Sequence, residues 1–416
     1  MNADLVALGA KPLPPVRQMD VRGRGVAWPA GQRHLLIMES HPVQYRVPVY
    51  QELERLKPGS FEVVYATDCS ARGYQDEGFG TEVKWNLPLL EGYRFRVLGN
   101  ERGVPLRGHR SLHGRGVFQL LARARPRAVL FTHFAYQFDW TAYLSCLRLG
   151  IPIWMRQETQ DEAFDRSPVK SFVRRCAYRL IYLPVHHAFY IGRLNHQHLR
   201  ACGMAEQRLS RSSYCVRDPL AGMSEHMKLE LRRSARARYG IAPDTSVLCF
   251  SGKLIPKKDP ELIFEAVKHL GCPDQKRVHV LVLGSGELMP RLISQALSIP
   301  VPATFAGFVN QEELAAYYLA ADVLVLPSRR MGETWGLVVN EALHAGCAVA
   351  VSDAVGCGAE FGHLERCRVF RATDAQACAQ AILELSRLPR NFTWAAEVMR
   401  AYSVTVAAKA IADKLP

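Results

Sequence analysis

The 416-residue chain has no run of about 18 or more apolar residues, so no transmembrane helix is expected. Its first 33 residues are rich in Pro, Gly and Arg and contain no continuous apolar stretch. They read as a loose extension before the first strand and not as a secretory leader. No pair of its eleven cysteines is spaced Cys-x-x-Cys, and Cys249 lies inside an apolar run. Buried, reduced thiols in a cytoplasmic protein are therefore expected, not a disulfide framework or a zinc site. No Asp-x-Asp occurs. The consecutive His186 and His187 lack metal-ligand spacing. No basic helix with interleaved aromatics stands out, which weighs against a nucleic-acid-binding protein.

A length of 416 residues exceeds one ordinary hydrophobic core and suits two domains. The 48% hydrophobic and 22% charged fractions are those of a globular protein. The formal charge is +14, which attracts phosphorylated or anionic partners. The excess is clustered. One run contains Arg102, Arg107, Arg110, Arg115, Arg123, Arg125 and Arg127. A second contains Arg166, Lys170, Arg174, Arg175 and Arg179, and a third Arg232, Arg233, Arg236 and Arg238. These runs suggest reversible contact with an anionic membrane, with Val117, Phe118, Leu120 and Leu121 as candidates for shallow insertion.

Short apolar runs alternate with helical patterns, which indicates α/β layers with parallel sheets. Strands are expected at 34–38, 61–66, 128–131 and 152–155, then at 246–251, 278–283, 323–326 and 348–352. Helices are expected after Pro48, at 140–149, 260–270, 288–296, 312–320 and 337–345, and within 394–412. The charged segment 218–243 lacks strand signals, so the domain boundary is placed there. The reading is a first domain over 34–220, a second over 221–393, and a C-terminal helical stretch, 394–416, that packs back across the cleft. Ligands of such sheets bind beyond the carboxyl ends of the strands.

Three segments of the second half carry chemistry. Ser251-Gly252-Lys253-Leu254-Ile255-Pro256-Lys257-Lys258 follows an apolar strand. Gly252 lets a ligand approach the backbone, and Lys253 and Lys258 can face one anion. Leu283-Gly284-Ser285-Gly286-Glu287 is a second strand-end turn, compatible with a nucleotide at a helix N-terminus. Between Pro327 and Ala342 the loop holds Glu333, and Glu341 lies about one and a half turns into the following helix. The N–H groups between them form an anion hole flanked by two carboxylates. That suits a phosphate with a polyol on either side.

Glu333 and Glu341 resemble the E-x7-E element of glycosyltransferase family 4, and Gly252-Lys253-Leu254 with Lys258 resembles that family's G-R-L-x-x-x-K. Phe305-Ala306-Gly307-Phe308-Val309, the run from Ala320 to Ser328, and the run from Ala345 to Ser352 followed by Gly356 fit the same pattern in order. In the first half, His41-Pro42-Val43-Gln44-Tyr45, Lys84-Trp85 and Ile191-Gly192-Arg193-Leu194-Asn195 resemble a bacterial branch that works on surface polysaccharides. The resemblance implies a GT-B fold, with two Rossmann-like α/β domains facing a central cleft. It also implies a retaining, metal-independent transfer from a nucleotide-diphosphate sugar to a glycan or lipid-linked glycan.

Carried over by position, Lys253 and Lys258 would contact the diphosphate. Glu333 would contact the donor sugar and Glu341 the ribose. The backbone at Thr334, Trp335, Gly336 and Leu337 would cradle phosphate, and Val309 would meet the base. His133, just past the strand 128–131, matches a cleft histidine of the family. His41 and Glu158 are further candidates on the acceptor side. No metal or cofactor is expected. Lys253 stands where the family usually has arginine, and Glu39-Ser40-His41-Pro42 stands where it has a Gly-Gly turn. A GT-B epimerase or hydrolase is the rival enzyme reading.

Overall fold

The computed structural model describes residues 34–98, 106 and 108–416; the expected N-terminal extension, Arg102 and Arg107 lie outside these. Among them, the first half contains strands β1 (Leu35–Glu39), β2 (Phe61–Tyr65), β3 (Tyr74–Asp76), β4 (Thr81–Val83), β5 (Phe95–Val97), β6 (Ala128–Phe131), β7 (Ile153–Met155), β8 (Val185–Tyr190) and β9 (Leu209–Arg211). Its larger helices are α1 (Val47–Leu56), α2 (Val117–Ala124), α3 (Gln137–Leu149) and α4 (Pro168–Tyr182). All strands but β3 and β4 form one parallel sheet in the order β5-β2-β1-β6-β7-β8-β9. The central strands are buried along their whole length. That is why they read as unbroken apolar runs and not as alternations. Strands β3 and β4 pair separately as an antiparallel hairpin.

The second half holds α5 (Glu225–Arg238), β10 (Ser246–Ser251), β11 (Val278–Leu283), β12 (Ala303–Gly307), α6 (Gln311–Ala320), β13 (Val323–Leu326), α7 (Val338–His344), β14 (Ala348–Ser352) and β15 (Cys367–Phe370). Its parallel sheet has the order β12-β11-β10-β13-β14-β15. In each sheet the direction of winding reverses once, between β1 and β6 and between β10 and β13. The loops after those four strands diverge there and leave a crevice. The segment in which the domain boundary was expected contains α5, which packs on α6.

The last helix, α8 (Val404–Ala412), returns to the first sheet. Its Ala407, Ala408 and Ile411 are fully buried in the same cluster as Leu35, Ile37, Phe61 and Phe189, and it lies along α1.

Several expectations are corrected. Helix α3 begins three residues early because the Asp139 carboxylate accepts from the Tyr136 N–H at 2.8 Å and caps its first turn. Val117 and Leu121 are wholly buried core residues of α2, so they cannot insert into a bilayer. In the third arginine run, Arg232 and Arg236 are structural. Both pair with Asp322, and both donate to the carbonyl of Ala320. Asp322 in turn accepts from the Val247 N–H, so the three charges lock α5 and α6 to the edge of β10. Most cysteines are buried, but Cys176 and Cys272 are exposed.

Candidate functional site

At the first switch point, the loop leaving β1 carries Ser40, His41 and Arg46, and the loop leaving β6 carries Thr132 and His133. The site is organised around the buried Glu39 at the end of β1. Its carboxylate accepts from Arg46 Nη1 at 2.9 Å, from Thr132 Oγ1 at 2.9 Å and from the Tyr50 hydroxyl. The other amino group of Arg46 reaches Glu158 at 2.8 Å. Glu158 also accepts from the Tyr214 hydroxyl, and from Thr334 Oγ1 of the second domain at 3.0 Å. Burial pushes the Glu158 carboxyl up, but the Arg46 guanidinium and the Tyr214 hydroxyl outweigh it and hold the group below the usual carboxylate range.

His133 Nδ1 lies 3.0 Å from Asp139 Oδ2, and its Nε2 lies 2.9 Å from Ser40 Oγ, which is itself 2.9 Å from His41 Nδ1. The Ser40 hydroxyl can donate to either imidazole and accept from the other. Burial lowers His41 to about 4, so it is neutral at physiological pH. His133, Arg46, Glu158, Phe134, Tyr178 and Thr334 are among the residues lining a cavity of about 350 Å³. His133 and Glu158 thus line one cavity, whereas His41 stands one hydroxyl behind His133.

At the second switch point the charge is of the other sign. Lys258 Nζ is 2.5 Å from Glu333 Oε2. Ser328 donates to the same oxygen at 3.2 Å. Burial alone would raise the Glu333 carboxyl, but Lys258 and Lys257 keep it below its ordinary value. An ionised Glu333 is an acceptor for hydroxyl groups. Lys257, assigned no role from its sequence context, donates to the Gly332 carbonyl at 2.8 Å and fixes the loop before Glu333. Glu341 sits between Gln311 Nε2, at 2.6 Å, and the Tyr318 hydroxyl, at 2.8 Å. Both partners are neutral, so burial prevails and raises this carboxyl. The two glutamates therefore have opposite environments.

Gly284 and Gly286 are needed for contacts between loops. A Cβ on Gly284 would lie 1.9 Å from the Gly252 carbonyl oxygen, and one on Gly286 would lie 2.5 Å from that of Leu254. The two strand-end turns are thereby pressed together. Val309 is buried in the core of the second domain. Thr334 joins the two domains through Glu158. The Trp335 indole is buried and donates to Asn340 at 2.8 Å. Gly336, at φ +95°, and Leu337 complete the turn into α7.

The hairpin β3–β4 spans the cleft, a feature the sequence did not reveal. Lys253 Nζ lies 2.7 and 2.9 Å from the two oxygens of Asp76. Asp76 also accepts from the N–H groups of Gly78 and Phe79. Ser285 donates to the Phe79 carbonyl at 2.7 Å. The Phe79 and Trp85 rings meet Phe308 at 5.1 and 5.8 Å, and Asn310 donates to the Lys84 carbonyl. The Asp-x-Gly turn at residues 76–78 was the available signal for a hairpin, though not for its docking.

Two Rossmann-like sheets with their switch points face to face are the GT-B architecture. Solved structures share it over most of the chain. Anabaena Alr3699/HepE, in complex with UDP and glucose, superposes with a TM-score of 0.66 at 14% identity, covering 92% of this chain and 99% of that one. A putative UDP-N-acetylglucosamine 2-epimerase from Listeria monocytogenes does so with a TM-score of 0.59 at 14% identity, covering 91% and 94%.

Within that class, residues 232–398 match the family of glycosyl transferases group 1. The D-inositol 3-phosphate glycosyltransferase of Geodermatophilus obscurus is 39% identical over 135 residues, which are 30% of this chain and 29% of that protein. The matched stretch spans about three-tenths of the length of such curated relatives. Among the described residues, no three His, Cys, Asp or Glu side chains are grouped to hold a metal ion, and no helix is long and apolar enough to cross a membrane.

Proposed function

We propose that the protein is a retaining glycosyltransferase that moves a sugar from a nucleotide-diphosphate donor to a glycan or lipid-linked glycan, in polysaccharide or lipopolysaccharide biosynthesis. The observation that carries this reading is the Lys258–Glu333 pair at the second switch point, with Lys257 and Lys253 on the same loop, inside the segment that matches the group 1 family. Such a constellation does two things. Its cations oppose the negative charge that grows on a departing diphosphate. Its ionised carboxylate accepts hydrogen bonds from donor-sugar hydroxyls. Glu341 and the main chain near Val309 are assigned to the ribose and the base, and the turn 334–337 to phosphate. The cavity beside His133 takes the acceptor. The donor is a substrate, no resident cofactor or metal is assigned, and the enzyme works as a peripheral protein at the inner face of the membrane.

Thermal stabilisation across a panel of nucleotide sugars tests the donor assignment. A ligand at about 100 times its dissociation constant adds about 2.7 kcal/mol, and no stabilisation by any of them rejects it. The fold alone is shared with an epimerase relative. Product analysis with and without added glycan therefore decides the reaction. Epimerised or hydrolysed donor in place of a new glycosidic bond rejects the transferase reading.

A further inference from the structure

Helix α4 reverses the usual order of a surface helix. Tyr182 is its only buried residue. At about 100° per residue, Ser171, Tyr178 and Tyr182 share the face turned to the domain. Tyr178 lines the cavity beside His133, and the Tyr182 hydroxyl contacts His198. The opposite face carries Val169, Phe172, Val173, Cys176 and Leu180, continued by Leu183 just past the helix end. These six fall within an arc of about 100°. Its five large apolar side chains are 60–72% exposed. Lys170 flanks the stripe on one side, and Arg175 and Arg179 on the other. All three are exposed, and none makes an ion pair among the described residues.

A helix facing water presents polar residues outward. An outward apolar stripe rimmed by cations is instead the chemistry of a helix lying in the surface of an anionic bilayer. The rim also decides against a second copy of the chain as the occupant, because self-packing would set cation against cation. Two further exposed apolar side chains, Phe164 and Met331, stand near the start of the helix. They come one from each domain and are joined by a backbone bridge.

We propose that α4 docks the protein on an anionic bilayer with its apolar face inserted. The acceptor sugar carried by a lipid then enters the cavity on the helix's inner side. One helix diameter, about 10 Å, separates the inserted face from the cavity wall at Tyr178. The acceptor is accordingly a glycolipid whose reacting sugar lies close to its headgroup. This assignment of the acceptor rests on the transferase reading, whereas the docking does not.

The test uses the full chain and vesicles of phosphatidylcholine with or without phosphatidylglycerol. Co-sedimentation is expected with the anionic vesicles only, and at least tenfold weaker binding is expected for Phe172→Ser with Leu180→Ser and for Arg175→Gln with Arg179→Gln. A Phe172→Trp variant should be quenched by brominated lipid. Equal binding of wild type and the Phe172→Ser, Leu180→Ser variant overturns the proposal, as does a wild-type dimer in sedimentation equilibrium that this variant dissociates. Calorimetry with UDP, GDP and dTDP on the same proteins separates the two readings. Nucleotide binding without vesicle binding removes the docking and leaves the transferase; vesicle binding without affinity for any nucleotide removes the transferase and leaves the docking.

Discussion

At the first switch point two carboxylates, Glu39 and Glu158, share one guanidinium, and hydroxyls satisfy most of what remains. At the second, three lysines stand on one loop, and Lys258 and Lys257 face the single carboxylate of Glu333. The outermost, Lys253, is balanced by Asp76 from the other domain. The first crevice thus draws its partners from its own domain, apart from Thr334. The second is complete only with an anion supplied from outside its own domain. A nucleoside diphosphate is such an anion, and the hairpin carboxylate stands on a lysine that the family resemblance assigns to it. One crevice is pre-organised by mutual satisfaction, the other by a charge excess that a ligand neutralises.

The contrast breaks most severely at Arg46. Arg46→Ala leaves Glu39 and Glu158 partly buried without their shared cation, which should cost about 3–5 kcal/mol of stability. Denaturant unfolding measures it, and a loss below about 1 kcal/mol would mean that water replaces the guanidinium and that the first crevice is not self-contained.

Next is Lys258→Ala, which removes charge from the second crevice. Turnover should fall by an amount equivalent to roughly 2–4 kcal/mol in the barrier, with the far-UV spectrum unchanged. Wild-type turnover in that variant would reassign the cation excess to mere surface charge.

Glu341→Gln sharpens the comparison between the two glutamates. Burial raises the Glu341 carboxyl in the folded chain. Its contribution to stability is therefore complete below the unfolded value and is lost as pH rises through the folded one. The glutamine variant should melt higher than wild type at neutral pH without ligand, yet bind a nucleoside diphosphate about tenfold more weakly, a loss of about 1.4 kcal/mol, near the upper end of the net worth of one hydrogen bond. Glu333→Gln, whose carboxyl is held down by lysines, should lose turnover and gain no stability. Identical behaviour of the two variants would erase the distinction.

The smallest effect is titration of the first crevice. His41 is held at about 4 by burial, against an unperturbed value near 6.5. The unfolded chain then binds more protons between these values, so stability falls as pH drops from 6.5 towards 4. His187, on β8 and also lowered to about 4 by burial, acts in the same window. Replacing both with Asn should flatten this part of the stability profile, and an unchanged slope would place the acid sensitivity elsewhere.

The two crevices were also unequally legible in the sequence. Lys253, Lys258 and Glu333 lie on two strand-end loops and Glu341 in the helix that follows the second, so the local pattern of apolar strand, glycine and charge was enough to nominate them. The first crevice is assembled from Glu39, Arg46, His133, Glu158, Tyr214 and Thr334, which are separated by up to 295 positions. No local spacing reports that Arg46 bridges two glutamates. The strands of the second sheet's centre were legible because they are continuous apolar runs. Strand β8, reading Val-His-His-Ala-Phe-Tyr, was not, because its His187 is satisfied by Ser210 at 2.9 Å only once β9 is in place. Helix α4 was visible only as a cluster of basic residues. Which of its faces meets the protein is decided by tertiary packing.

Helix α8 gives the molecule one more property. The polypeptide passes from the first sheet to the second after β9, and passes back before Ser403 to bury Ile411 beneath the first sheet. A body joined to its neighbour at two points behaves like a door on two hinges: it swings about the line through them and resists sliding and twisting. Any opening between the two domains therefore proceeds about that single line, and each closure returns Thr334 to Glu158 and the Phe308 ring to Phe79 in the same register.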